Sequence, residues 1–193
     1  MKKILFAASE AVPFMKTGGL ADVTGSLPKY FDKKNYDVRV ILPKYVCMEE
    51  RWKGQLHFLC HFYVNLSWRK QYVGIFETTY DGITYYLVDN EFYFAGNAPY
   101  NNIYEDVEKF AFFSKAVLEA LPYLDFCPDI IHCHDWQTGL LPVFLRTLYG
   151  DEEYYTGIKT VFSIHNLKFQ GRWNCLQLWI LPDCRNRFLP QIS

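Results

Sequence analysis

Blocks of like charge are missing from this 193-residue chain: no run of five or more acidic or basic residues occurs, and 20 Lys+Arg stand against 21 Asp+Glu for a formal net charge of −1. Such a balance argues against a protein that lives on nucleic acid or on an anionic membrane surface. Long apolar runs are lacking too. The run at residues 4–8 breaks off at Ser9 and Glu10, short of the roughly 7–15 residues of a signal-peptide core. Nothing approaches the ~20 apolar residues of a membrane span. The six cysteines (Cys47, Cys60, Cys127, Cys133, Cys175 and Cys184) form no C-x-x-C and no zinc-type spacing. These absences point to free thiols in a reducing compartment, hence to a cytoplasmic protein. Repeats, low-complexity stretches, G-x-G-x-x-G and Walker patterns are absent as well.

What is present is core material. Half the residues are hydrophobic and 19% are aromatic, which excludes a disordered or collagen-like chain and suits one globular domain. Residues 4–8 read as a strand buried on both faces, as in a parallel sheet. Leu20, Val23, Leu27, Tyr30 and Phe31 share one face of a helix that Pro28 kinks or divides. Residues 37–42 give a second strand, completing a βαβ unit. Residues 56–66 and 71–80 are aromatic and β-branched, and Asp81-Gly82 before the run 83–88 signals a hairpin. Residues 89–103 read as a loop, 104–121 and 137–149 as helices, 129–132 and 159–164 as strands. The expected fold is α/β: an open, mostly parallel Rossmann-like sheet with helices on both faces and an antiparallel hairpin insertion.

In open α/β sheets, ligands bind beyond the carboxyl ends of the strands. Three polar clusters fall there: Lys16-Thr17-Gly18-Gly19, His132-Cys133-His134-Asp135-Trp136, and His165-Asn166. Two glycines entering a helix let backbone N–H groups approach an anion, and Lys16 adds a mobile cation. The same residues also read as a tight turn with a solvated lysine. His132-x-His134-Asp135 is open to four readings. Alternate strand-end histidines can face one metal ion, as in a metal-dependent hydrolase, although the longer hydrolase pattern is not completed. One histidine can simply pack in the sheet. Asp135 can cap the following helix. Asp135 and His165 can instead hold sugar hydroxyls, with Trp136 or nearby tyrosines stacked on a sugar face. Tyr93, Tyr100 and Tyr104, in or beside the 89–103 loop, suit either ordinary packing or a polyhydroxylated ligand.

The stretch Lys16-Thr17-Gly18-Gly19-Leu20-Ala21-Asp22-Val23 resembles the signature of bacterial glycogen synthases and plant starch synthases. Phe110-Ala111-Phe112-Phe113-Ser114, His132-Cys133-His134-Asp135-Trp136-Gln137-Thr138-Gly139 and Ile164-His165-Asn166-Leu167-Lys168-Phe169-Gln170-Gly171 resemble the same family in the same order. The resemblance implies the N-terminal half of a GT-B glycosyltransferase, with two Rossmann-like domains facing across a cleft. Such an enzyme moves glucose from ADP-glucose to the non-reducing end of an α-1,4-glucan with retention of configuration, needing neither metal nor cofactor. Carried onto this chain, Lys16, Gly18, Gly19 and Asp22 would serve the donor, Asp22 by supporting the loop. Asp135 and His165 would sit at the reacting centre, and Tyr93, Tyr100 and Trp136 along the acceptor. ADP-glucose, the glucan and a C-terminal domain are the implied partners. A non-catalytic glucan-binding module of the same fold is the alternative.

Two departures accompany the resemblance. Ala95-Gly96 stands where the family usually has a basic residue, and residues 174–193 stop resembling it. The expected organisation is therefore a Rossmann-like domain over 1–173 and an atypical, truncated or frameshifted tail over 174–193. The C-terminal glycosyltransferase domain would be absent, leaving the chain inactive alone. The choice between ADP- and UDP-glucose is not encoded in these residues.

Overall fold

The computed structural model describes residues 1–66 and 69–171. In chain order the elements are β1 (Lys2–Ala7), α1 (Gly19–Ser26), β2 (Tyr36–Pro43), α2 (Glu50–Lys53), β3 (His57–Leu66), β4 (Arg69–Tyr80), β5 (Ile83–Asp89), α3 (Ile103–Ala120), β6 (Ile130–His134), α4 (Leu140–Thr147) and β7 (Lys159–Ser163). The seven strands form one sheet in the order β3-β4-β5-β2-β1-β6-β7. The five from β5 to β7 run parallel, while β3 and β4 are antiparallel neighbours at one end.

Strand periodicity explains the unbroken apolar run in β1. Successive side chains point to opposite faces, and here both faces are covered. Leu5 and Ala7 pack on one side with Phe110, Phe113 and Val117 of α3 and Leu141 and Phe144 of α4. Ile4 and Phe6 pack on the other with Ala11, Phe14 and Met48, against which Phe31 and Trp52 lie. Each large apolar side chain so enclosed contributes roughly 1.5–3 kcal/mol.

Turn and cap chemistry follow the sequence closely. Asp81 and Gly82, with φ of 50° and 72°, supply the positive-φ pair that joins β4 to β5 in a tight hairpin. Asn102 caps α3, its side chain accepting the amides of Tyr104 and Glu105. Pro28 divides the helix expected through Phe31: α1 ends at Ser26 and a 3-10 turn covers Leu27–Tyr30. The helix expected over 137–149 likewise starts as a 3-10 turn at Trp136–Thr138 before α4. β6 runs two residues past its expected end, to His134. The one-turn helix α2 was not expected, since four residues carry no apolar period.

Cys47, Cys60, Cys127 and Cys133 are free thiols; Cys175 and Cys184 lie outside the described residues, as does the stretch 174–193 on which the expectation of an atypical tail falls. Among the described residues no helix is long and apolar enough to cross a membrane.

Candidate active site

The carboxyl ends of β1, β6 and β7 open onto one cleft of about 1040 Å³, lined by Thr17, Gly18, Gly19, Tyr100, Asp135, Trp136, His165 and Asn166 among others. Adjacent parallel strands end on the same edge. Residues of all three polar clusters, spread from Thr17 to Asn166 along the chain, therefore converge there.

The loop after β1 is held rigidly from below. Glu10 is buried, and its carboxylate accepts hydrogen bonds from the Tyr100 hydroxyl (2.6 Å) and from the Thr17 amide. The Tyr100 oxygen also lies 2.8 Å from Ser9 Oγ. Burial, followed by the neighbouring Glu10 charge, pushes the Tyr100 phenol up, so this ring is a neutral, tethered wall of the cleft. Gly25 brings α1 against the loop: a Cβ there would sit 2.4 Å from the Val12 carbonyl oxygen. Gly18 and Gly19 differ. Nothing lies within 4 Å of where their Cβ atoms would be, so the fold itself does not crowd them. Gly18 provides no side-chain cap for α1, and the start of that helix, Gly18 to Leu20, lines the cleft.

Lys16 and Asp22 form an exposed ion pair of 2.7 Å at the rim, outside the cleft lining. Asp22, expected to support this loop, contacts it through Lys16. Surface pairs of this kind contribute about 0–1 kcal/mol, so a stronger anion can draw the ammonium away.

Asp135 sits in a backbone conformation (φ 57°, ψ 179°) that glycine alone adopts readily. Its side chain does not cap the following turn. Oδ1 instead accepts the His165 amide at 2.6 Å, tying the end of β6 to the end of β7. His165 is exposed, and its Nε2 lies 2.8 Å from Nδ1 of the buried His134. His132 bonds Ser163 Oγ through Nε2 at 2.7 Å and stacks on His134 with centroids 4.1 Å apart. Burial lowers both His132 and His134, the latter to about 3. The metal-ligand reading of His132-x-His134-Asp135 meets this geometry: the imidazoles stack and bond to protein partners. Among the described residues no group of three or more His, Cys, Asp or Glu side chains is placed to hold an ion.

Trp136 lies edge-on to Phe110 at 5.4 Å and lines the cleft. A Cβ on Gly171 (φ 57°) would come within 2.6 Å of the Trp136 ring, so a glycine is required where the chain crosses it. Tyr93 is corrected. It stacks on Phe112 at 4.6 Å, donates its hydroxyl to Glu108 at 2.7 Å, and is 8% exposed. The hairpin-side core takes this tyrosine, and it does not line the cleft. The roof formed by residues 99–102 is fixed by a buried Lys109–Asp106 pair of 2.7 Å. Lys109 also donates to the Pro99 carbonyl, and Asp106 accepts the Asn101 amide. Sequence reading missed Glu10 and Asp106. The only available signal for Glu10 was its place directly after a buried strand.

Residues 3–188 match the family model of the starch synthase catalytic domain. The chain belongs to that family. It is 67% identical over 174 residues to a glycogen synthase of Lachnoclostridium phytofermentans, a match covering 90% of this chain and 36% of that protein. It is 52% identical over 172 residues to a glycogen synthase of Clostridium perfringens, covering 89% and 36%. The catalytic domain of starch synthase IV from Arabidopsis thaliana, bound to ADP and acarbose, superposes with a TM-score of 0.80 at 29% identity, over 92% of this chain and 36% of that one. The fold is therefore that of the matching part of the family's GT-B enzymes, and the chain spans about a third of the length of the curated relatives it matches.

Proposed function

We propose that this chain is the N-terminal, Rossmann-like part (1–173) of a cytoplasmic glycogen synthase that transfers glucose from ADP-glucose to the non-reducing end of an α-1,4-glucan with retention. A second glycosyltransferase domain, in the length that the relatives have beyond this match, would close over the cleft, and the present chain alone would not turn over.

One observation carries the reading: Gly18 and Gly19, Asp135 and His165 meet at one cleft. The open space over the two glycines and the uncapped start of α1 suit a diphosphate. Lys16, released from Asp22, supplies a positive charge as the ADP leaving group becomes more negative, which is electrostatic stabilisation of the transition state. Glucose departs through an oxocarbenium-like state while the glucan hydroxyl approaches on the same face. Asp135 and His165 hold the sugar, and Tyr100 and Trp136 give the glucan an aromatic wall. The ADP named with the Arabidopsis structure supports a nucleotide donor of that kind.

The test is radiolabelled glucosyl transfer from ADP-glucose to glycogen by this chain alone and by this chain completed with the remaining sequence of a relative. Transfer is expected only in the completed protein. There Lys16→Ala should lower the rate at least ~10-fold while leaving the thermal midpoint nearly unchanged. An unchanged rate removes Lys16 from the donor site. Glucan retention without transfer in the completed protein favours a non-catalytic binding module.

A further inference from the structure

His134 ends β6, is fully buried, and has two ring nitrogens in unequal surroundings. Nδ1 lies 2.8 Å from Nε2 of His165. Nε2 is enclosed without a hydrogen-bond partner among the described residues. The ring is flanked by His132 at 4.1 Å, His165 at 5.1 Å and Phe6 at 5.0 Å between centroids.

One proton lies between His134 Nδ1 and His165 Nε2, and neutral imidazoles allow two arrangements. If His165 donates, the proton of His134 must sit on Nε2, an N–H sealed from any acceptor. If His134 donates from Nδ1, Nε2 keeps only a lone pair, and the proton of His165 moves to its own Nδ1. A buried N–H without an acceptor is the rarer and costlier of the two. A doubly protonated His134 is no escape: burial, with His132 and His165 adding to it, holds this imidazole down at about 3.

We infer that His134 is a positioning residue: it donates Nδ1–H to Nε2 of His165 and holds the exposed His165 ring as the Nδ1–H tautomer. The functional consequence rests on the reading above that His165 meets the sugar. The nitrogen left free for a ligand then offers a proton and not a lone pair. His165 serves as a fixed donor to a sugar oxygen and does not accept the proton of the incoming glucan hydroxyl. The Asp135 bond to its backbone amide and the His134 bond to its ring fix the residue at two points.

Long-range ¹H–¹⁵N correlation spectra of the 193-residue chain, at about pH 8 and so above the ordinary imidazole range, identify the protonated nitrogen of each histidine. His165→Gln assigns the His165 signals. The expected pattern is pyrrole-type Nδ1 and pyridine-type Nε2 on His165, the reverse of the form a solvated imidazole favours. His134→Phe should return His165 to the Nε2–H form. His134→Asn, whose amide keeps a donor near the same point, should preserve Nδ1–H. A pyrrole-type Nε2 on His165 in the unsubstituted chain overturns the inference, and so does Nδ1–H persisting in His134→Phe. Titration of the completed protein with ADP-glucose reports separately: unmoved His165 signals there would remove the sugar-site reading while leaving the tautomer assignment intact.

Discussion

At the β3-β4-β5 end of the sheet, side chains alternate as a half-covered strand demands, with Phe62, Val64 and Leu66 inward and the residues between them outward. The turn there uses the residue pair that its dihedral angles require. At the β1-β6-β7 end the same chain departs from such local rules. Asp135 occupies a backbone region suited to glycine. Of the five buried charged residues among those described, Glu10, Asp106 and Asp135 line the cleft, and a fourth, Lys109, pairs with Asp106. The hairpin end is built to be stable. The cleft end tolerates strain and buried charge that the rest of the fold must offset, which is the pattern expected where side chains are arranged for a ligand.

The contrast is broken most directly at Asp135. Asp135→Asn keeps the shape and removes the charge, so glucosyl transfer by the completed protein should fall ~100-fold while the loss of one charged acceptor costs about 1 kcal/mol of stability. Equal activity would mean that the strained aspartate is architectural. Next come the glycines, which separate the two kinds of requirement. Gly25→Val forces a methyl-bearing carbon into the Val12 backbone and should destabilise by about 1–3 kcal/mol in urea unfolding. Gly19→Ala, at an uncrowded helix start, should leave stability unchanged or raise it by up to about 1 kcal/mol. Transfer should nonetheless drop ~10-fold as the added methyl meets the diphosphate; full activity would show that no ligand uses that space. The last effect concerns acid, and it builds only gradually as the pH falls. His134 is held near 3 in the folded chain against about 6.5 unfolded. The unfolded state therefore binds the extra proton in that window, and stability present above about pH 6.5 is lost as pH falls toward 3. Thermal midpoints measured down that range should fall less steeply in His134→Asn than in the unsubstituted chain.

Much of this was legible in the sequence. Buried parallel strands announce themselves as unbroken apolar runs, and polar residues placed just after them fall on one rim by topology alone. That is why Gly18, Gly19, Asp135 and His165 could be named together. Tyr93 could not be placed from sequence because a tyrosine in a loop suits a core and a ligand equally well, and it is the contacts with Phe112 and Glu108 that set it apart from the cleft. Glu10 reads in sequence as a solvated charge; its burial depends on Tyr100, ninety residues away. The Asp135 dihedral and the pairing of His134 Nδ1 with His165 Nε2 leave no trace in residue order, since they depend on how two strand ends meet.

The two lysines at the cleft will respond differently to dissolved ions. Lys16 stands half in water, where a Debye length of about 8 Å at physiological ionic strength weakens its attachment to Asp22. Lys109 is sealed under the 99–102 segment with Asp106, beyond the reach of counterions. Raising the ionic strength thus weakens the pair at the lip of the opening without loosening the pair that holds residues 99–102.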